Sequence, residues 1–176
     1  HSMGGQVCSM FLARPEAKEL NLKGLMGVGT GSPYYRGFQG RAFVRALLGG
    51  QLMGQVAKLR GFWPGGALDI AGYGRQSGRH VYEWSLFNRT NSIANLAGQD
   101  IDYAEEIKKV DVPVLLTRFT DDDECTLASC EYLLAHLTKA PRKAEELSGG
   151  LGHNRWAREP RIIADRFEKF VAEGTS

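Results

Sequence analysis

Apolar positions along the chain cluster into short segments whose spacing predicts regular elements. Val7, Met10 and Phe11 recur at helical spacing and predict a helix through Gln6 to Ala13. Leu22 to Gly29 is a short apolar run closed by the turn signal Thr30-Gly31-Ser32-Pro33, which predicts a buried strand. The clearest strand pattern is Val112 to Phe119, rich in branched residues, with Pro113 near its start, where a missing N–H is tolerated. Beyond it, Leu127 to Leu137 predicts a helix and Ala144 to Leu147 a short strand. Arg161 to Ala172 predicts a closing helix with Ile163, Phe167, Phe170 and Val171 on one face. Alternation of this kind points to an α/β fold in which helices cover a parallel sheet.

About eighty residues separate the two strongest strand patterns, too many for a bare connection. They carry their own helical signal. Val44, Leu48, Leu52, Val56 and Leu59 step by three to four residues or their multiples, among Arg41, Arg45, Gln51 and Lys58. Gly49-Gly50 should break or bend that pattern, because glycine costs about 1 kcal/mol relative to alanine in a helix. Phe62-Trp63-Pro64-Gly65-Gly66 stops it, and a further helix is expected from His80 to Asn88. Three regions result: 1–36, with the first helix and strand; 37–105, an inserted helical lid; and 106–176, the remaining core.

Composition narrows the class. With 176 residues, 43% hydrophobic and 24% charged, the chain has the makeup of a folded globular domain. Its 22 basic and 20 acidic residues leave a formal charge of +2, dispersed along the chain, which argues against a nucleic-acid partner. No apolar run is long enough for a membrane span. Cys8, Cys125 and Cys130 lack zinc-ligand spacing and read as reduced, buried thiols, so no metal is expected and a cytoplasmic setting follows.

Three places carry candidate chemistry. Ser2 stands in His1-Ser2-Met3-Gly4-Gly5, a small-residue turn running into the first helix. Such a turn can hold a serine above a sheet, with Gly4 as the downstream small position, while the Met3 amide and the helix dipole face an oxyanion. A serine hydroxyl is a weak nucleophile, so it needs a histidine base and a carboxylate to fix that histidine's tautomer. Thr120-Asp121-Asp122-Asp123-Glu124 directly follows the strong strand, where a parallel sheet delivers side chains to its upper edge. His153 lies in the glycine-rich loop 148–156 between a short strand and the last helix, a placement that favours function over His1, His80 and His136. The order along the chain is serine, acid, histidine.

Those stretches resemble the α/β-hydrolase superfamily. HSMGGQ is similar to a G-H-S-x-G-G nucleophile elbow without its first glycine, VPVLLTRFTDDDE to the acid strand and loop, and GLGH to the histidine loop. Within the superfamily, TGSPYYRGF, the helical insertion and DDDE resemble a bacterial group of predicted hydrolases related to serine aminopeptidase-like and lysophospholipase-like enzymes. The resemblance implies the C-terminal portion of an α/β-hydrolase fold, with its N-terminal strands absent and a helical lid insertion. It implies Ser2 as nucleophile, His153 as general base and Asp122 as orienting acid; Asp122 stands three residues after Phe119, and Asp121 and Asp123 stay open as alternatives.

The expected activity is therefore serine hydrolysis of a small-molecule ester, thioester or amide through an acyl-enzyme, without a cofactor. Tyr34, Tyr35, Trp63 and Trp84 are candidates for an acyl pocket. A non-catalytic ligand- or partner-binding domain, or an acyltransferase on the same triad, would use the same fold. The 176 residues alone are expected to be neither stably folded nor active, because the elbow strand and a second oxyanion donor would lie upstream.

Overall fold

Ser2 is followed at once by helix α1 (Met3–Phe11) and a short α2 (Pro15–Glu19), which begins on the helix-compatible Pro15 and leads to strand β1 (Leu25–Val28). The computed structural model describes residues 1–69 and 72–174. After β1 come α3 (Gly40–Val44), α4 (Gly50–Arg60), the two-residue strands β2 (Phe62–Trp63) and β3 (Gln76–Ser77), and α5 (Gly78–Thr90). The chain then forms α6 (Tyr103–Glu106), β4 (Val114–Phe119), α7 (Leu127–Leu134), β5 (Arg142–Leu147) and α8 (Arg161–Gly174).

These elements divide into two compact units, one of residues 1–32 and 99–176, the other of residues 33–98. The first holds a three-stranded parallel sheet in the order β1-β4-β5. Leu25 pairs with Val114 and Val28 with Thr117, while Val114 pairs with Arg142 and Phe119 with Leu147. All six residues of β4 are buried, as a central strand requires. β5 is longer than its apolar signal because backbone pairing to β4 suffices to order Arg142 and Lys143, whose side chains are exposed. Two helix starts are fixed locally. Asp102 accepts from the amides of Ala104 and Glu105, and Thr126 and Ser129 form a reciprocal capping box at α7.

Val28, Phe119, Leu151 and Ile163 form a core cluster where β1, β4, the loop after β5 and α8 meet, with Met26, Leu147 and Trp156 against it. The expected thiol burial holds for Cys125 and Cys130. Cys8 is exposed, because it lies on the outer side of α1.

In the second unit the helix does not break at Gly49-Gly50. Arg45–Gly49 form a π-helical turn that joins α3 to α4. Gly50 and, one turn on, Gly54 serve packing, while a Cβ on Gly49 would meet nothing among the described residues within 4 Å. A Cβ on Gly50 would lie 2.8 Å from Asn88 Oδ1, and one on Gly54 2.0 Å from Ser85 Oγ, so α4 and α5 approach more closely than any larger residue permits. Ala57, Trp63 and Val81 are the buried centre of this unit.

Candidate active site

The sheet's upper edge is where the candidate residues collect. β4 ends at Phe119, and a turn closed by the Asp122 amide on the Phe119 carbonyl at 3.0 Å follows it. That turn buries Asp122, 2% exposed, while Asp121 and Asp123 stay at the surface. One Asp122 oxygen, Oδ1, accepts the backbone amides of Glu124 and Cys125, each at 2.9 Å. The other, Oδ2, is left for a side chain, and His153 Nδ1 stands 2.8 Å from it. On the far side of the ring, Nε2 lies 3.0 Å from Ser2 Oγ. Ser2, His153 and Asp122 thus form one continuous hydrogen-bonded line, drawn from positions 151 and 31 residues apart.

Each member is held by its own loop. Ser2 has φ 51° and ψ −130°, an uncommon conformation for a residue with a side chain. It is pinned there by its amide, which donates to the Val28 carbonyl at 3.0 Å, and by its carbonyl, which accepts from Thr30 Oγ1 at 3.2 Å. The small residue this turn requires is Gly5 rather than Gly4. A Cβ on Gly5 would lie 2.3 Å from Thr30 Oγ1, whereas one on Gly4 meets nothing among the described residues within 4 Å. Met3 is the first residue of α1, at the end where backbone amides and the helix dipole favour negative charge.

The histidine loop takes its shape from Gly149, Gly150 and Gly152, all at positive φ. It is tied to the acid loop by the Gly152 amide, which donates to Asp121 Oδ1 at 3.0 Å. His1 also belongs to the site, contrary to what its adjacency to Ser2 suggests. Its Nε2 is 2.9 Å from the His153 carbonyl and its ring centroid 4.8 Å from the His153 ring.

Electrostatics oppose one another at His153. Burial disfavours its charged form, yet the hydrogen bond and charge of Asp122, with Glu124 beyond it, win, and the imidazole pKa lies above the ordinary 6.5. Nearby, Cys125 and Cys130 place their sulfurs 3.6 Å apart. Hydrogen bonding to Cys130 holds the Cys125 thiol below its usual value and pushes the Cys130 thiol up, so only one of the pair ionises readily.

Sequence reasoning missed Thr30 and Gly5 behind Ser2 and Arg118 beneath the acid turn, and saw Asp121 only as an alternative acid rather than as the tie between the two loops. Arg118 alone left a readable signal, a charged residue inside an otherwise apolar strand pattern. The aromatic candidates all lie in the second unit. Tyr34 and Tyr35 are half-buried, with ring centroids 5.1 Å apart, and Trp84 is half-buried on α5. Trp63 is a core residue of that unit, 3% exposed, with its indole N–H donating to Asp69 at 2.9 Å; its ring fills the core and its polar handle is taken. No group of three or more His, Cys, Asp or Glu capable of holding a metal occurs among the described residues.

The sequence matches no protein-family model and no curated protein. Solved structures do match. Est1E from Butyrivibrio proteoclasticus superposes with a TM-score of 0.52 at 13% identity, over 99% of this chain and 59% of its own. BpoC from Mycobacterium tuberculosis H37Rv gives 0.53 at 13% identity, over 99% and 66%. The fold is that of the α/β-hydrolases. A membrane phospholipase A described as a bacterial virulence factor has it too, with a TM-score of 0.52 at 17% identity, over 100% of this chain and 56% of its own. The chain therefore spans about three fifths of the length of these α/β-hydrolase structures, and what it shares with them is fold. Within the described residues, no helix is long and apolar enough to cross a membrane.

Proposed function

We propose that this α/β-hydrolase chain belongs to a serine hydrolase that cleaves a small-molecule ester, thioester or amide through an acyl-enzyme. The observation that carries the reading is the line of bonds from Ser2 Oγ to His153 Nε2 at 3.0 Å and from His153 Nδ1 to buried Asp122 at 2.8 Å. In this mechanism neutral His153 removes the Ser2 proton as Oγ attacks the acyl carbon, and Asp122 holds the Nδ1–H tautomer and stabilises the imidazolium. The tetrahedral oxyanion faces the start of α1, where the Met3 amide is one donor. His153 then protonates the leaving group and later activates the water that releases the acid.

The test is active-site labelling of the full gene product with a fluorophosphonate. Modification should map to Ser2 and vanish in Ser2→Ala and His153→Ala, whose losses in ester turnover should not add, since the two groups act as a unit. Absence of labelling in folded protein, or labelling that survives Ser2→Ala, would reject the serine mechanism in favour of a ligand-binding role.

A further inference from the structure

The best-secured part of the candidate site is a buried cation that makes no contact with the triad side chains. Arg118 is the next-to-last residue of β4 and is 8% exposed. Its guanidinium sits inside the turn that carries the acid. Nε donates to the Cys125 carbonyl at 2.6 Å, and Nη2 donates to the Asp122 carbonyl at 2.7 Å and the Thr120 carbonyl at 3.2 Å. Nη1 faces the Glu146 carboxylate, which the parallel register of β5 sets directly opposite Arg118. Three carbonyls of the segment 120–125 thus converge on one planar, rigid donor.

The same segment turns its amides the other way. Those of Glu124 and Cys125 both bond Asp122 Oδ1, so carbonyls pointing in at Arg118 and amides pointing in at the carboxylate are two sides of one fold of backbone. If the carbonyls swing away, the amides go with them, and Oδ2 loses its fixed direction toward His153. We infer that Arg118 is a positioning residue for Asp122, clamping the acid loop by its carbonyls so that the carboxylate meets His153 in one orientation. This rests on the serine hydrolase reading above.

A misplacement of the order of 1 Å in a catalytic group costs about 10²-fold in rate. The clamp predicts such a loss in kcat with KM within about threefold, because Arg118 does not touch substrate. Arg118→Lys keeps a cation opposite Glu146 but, as a point charge with a narrower reach, cannot span Thr120, Asp122 and Cys125 together. It should fold and still lose about tenfold or more in kcat. Arg118→Met should lose more. Glu146→Gln leaves the three carbonyl bonds in place and should stay within about threefold of wild type.

The experiment measures kcat and KM for p-nitrophenyl esters with the full gene product and these three variants, each normalised to folded protein by circular dichroism. It also records the low-field His153 Nδ1–H proton resonance, which should be sharp in wild type and Glu146→Gln and broadened or lost in Arg118→Lys. A folded Arg118→Lys with wild-type kcat and an unchanged resonance would overturn the clamp, as would a loss accounted for by KM or by the unfolded fraction alone. Failure of the wild type itself to turn over ester or to label at Ser2 marks the separate failure of the hydrolase reading, and the inference would fall with it.

Discussion

Replacing Asp122 by asparagine exchanges one carboxylate oxygen for an NH2, which removes the charge beside His153 and forces a choice of hydrogen-bond direction. The carboxylate has two distinct oxygens. Oδ1 accepts two backbone amides at 2.9 Å each, and Oδ2 faces His153 Nδ1 at 2.8 Å. An asparagine must choose which position receives its NH2. Turned toward Glu124 and Cys125, the NH2 sets a donor against two donors and leaves the buried Cys125 amide and the part-buried Glu124 amide unsatisfied, at about 1–3 kcal/mol each. Turned toward His153, it donates to Nδ1 and forces the proton onto Nε2, the nitrogen that must take the Ser2 proton. The preference for the second arrangement is therefore roughly 2–6 kcal/mol, or about 30-fold to 10⁴-fold in population. Because turnover needs the first arrangement, kcat for ester hydrolysis should fall by about 30- to 10⁴-fold, a range whose upper end matches the known cost of a wrong tautomer in such triads. The assay is p-nitrophenyl ester hydrolysis by the full gene product, with Ser2→Ala as background and thermal unfolding to confirm that the isosteric variant folds. A loss of less than tenfold, or a greater loss in Asp121→Asn or Asp123→Asn, would refute this assignment of the carboxylate.

Three further outcomes follow from the charge of the site and its packing. The base must be neutral and its pKa is raised, so kcat/KM should rise with pH along a limb centred above 6.5, whereas a limb at or below 6.5 would mean that Asp122 does not act on His153. The same shift acts oppositely on stability: the contribution of charged His153 is complete below its unfolded value near 6.5 and is lost as pH rises through the folded pKa, so the urea midpoint difference between wild type and His153→Ala should shrink over that interval. Gly5→Ala, whose Cβ would lie 2.3 Å from Thr30, should lower the melting temperature by several degrees, about 1–3 kcal/mol of overpacking, while Gly4→Ala should leave it unchanged or slightly raised; equal melting temperatures would mean that the α1 to Thr30 contact is slack.

The α/β layering was legible in the sequence wherever burial was continuous. Val114–Phe119 is buried at every position, and its apolar run marked it within two residues. β5 was half visible because it owes its first residues, Arg142 and Lys143, to backbone pairing, which composition does not record. Gly49-Gly50 was half legible for a related reason: the irregular turn ends there, at the π-helical Arg45–Gly49, but helix propensity describes an isolated helix, whereas Gly50 answers to Asn88 of α5 packed against it. At the site, Ser2 and His153 drew attention because reactive side chains in such turns are few, whereas Asp122 was one of three neighbouring aspartates and only the resemblance favoured it. What holds them is written mostly in backbone bonds, such as those from the amides of Glu124, Cys125 and Gly152, and any residue but proline can supply an amide. Arg118 was readable as an anomaly, but its three carbonyl partners exist only once the loop closes around it.

The backbone of Ser2, at φ 51° and ψ −130°, sets two kinds of fitness against each other. An L-residue held there gives up about 1–3 kcal/mol, which glycine would largely recover. A screen of variants for thermal resistance alone would therefore promote Ser2→Gly, ranking as improved a protein that, on the proposed mechanism, has lost its nucleophile. Selection for the proposed turnover would keep the strained serine. The most discriminating position in the chain is thus one where stability data and activity data should disagree in sign, and any effort to stabilise this fold would have to score both.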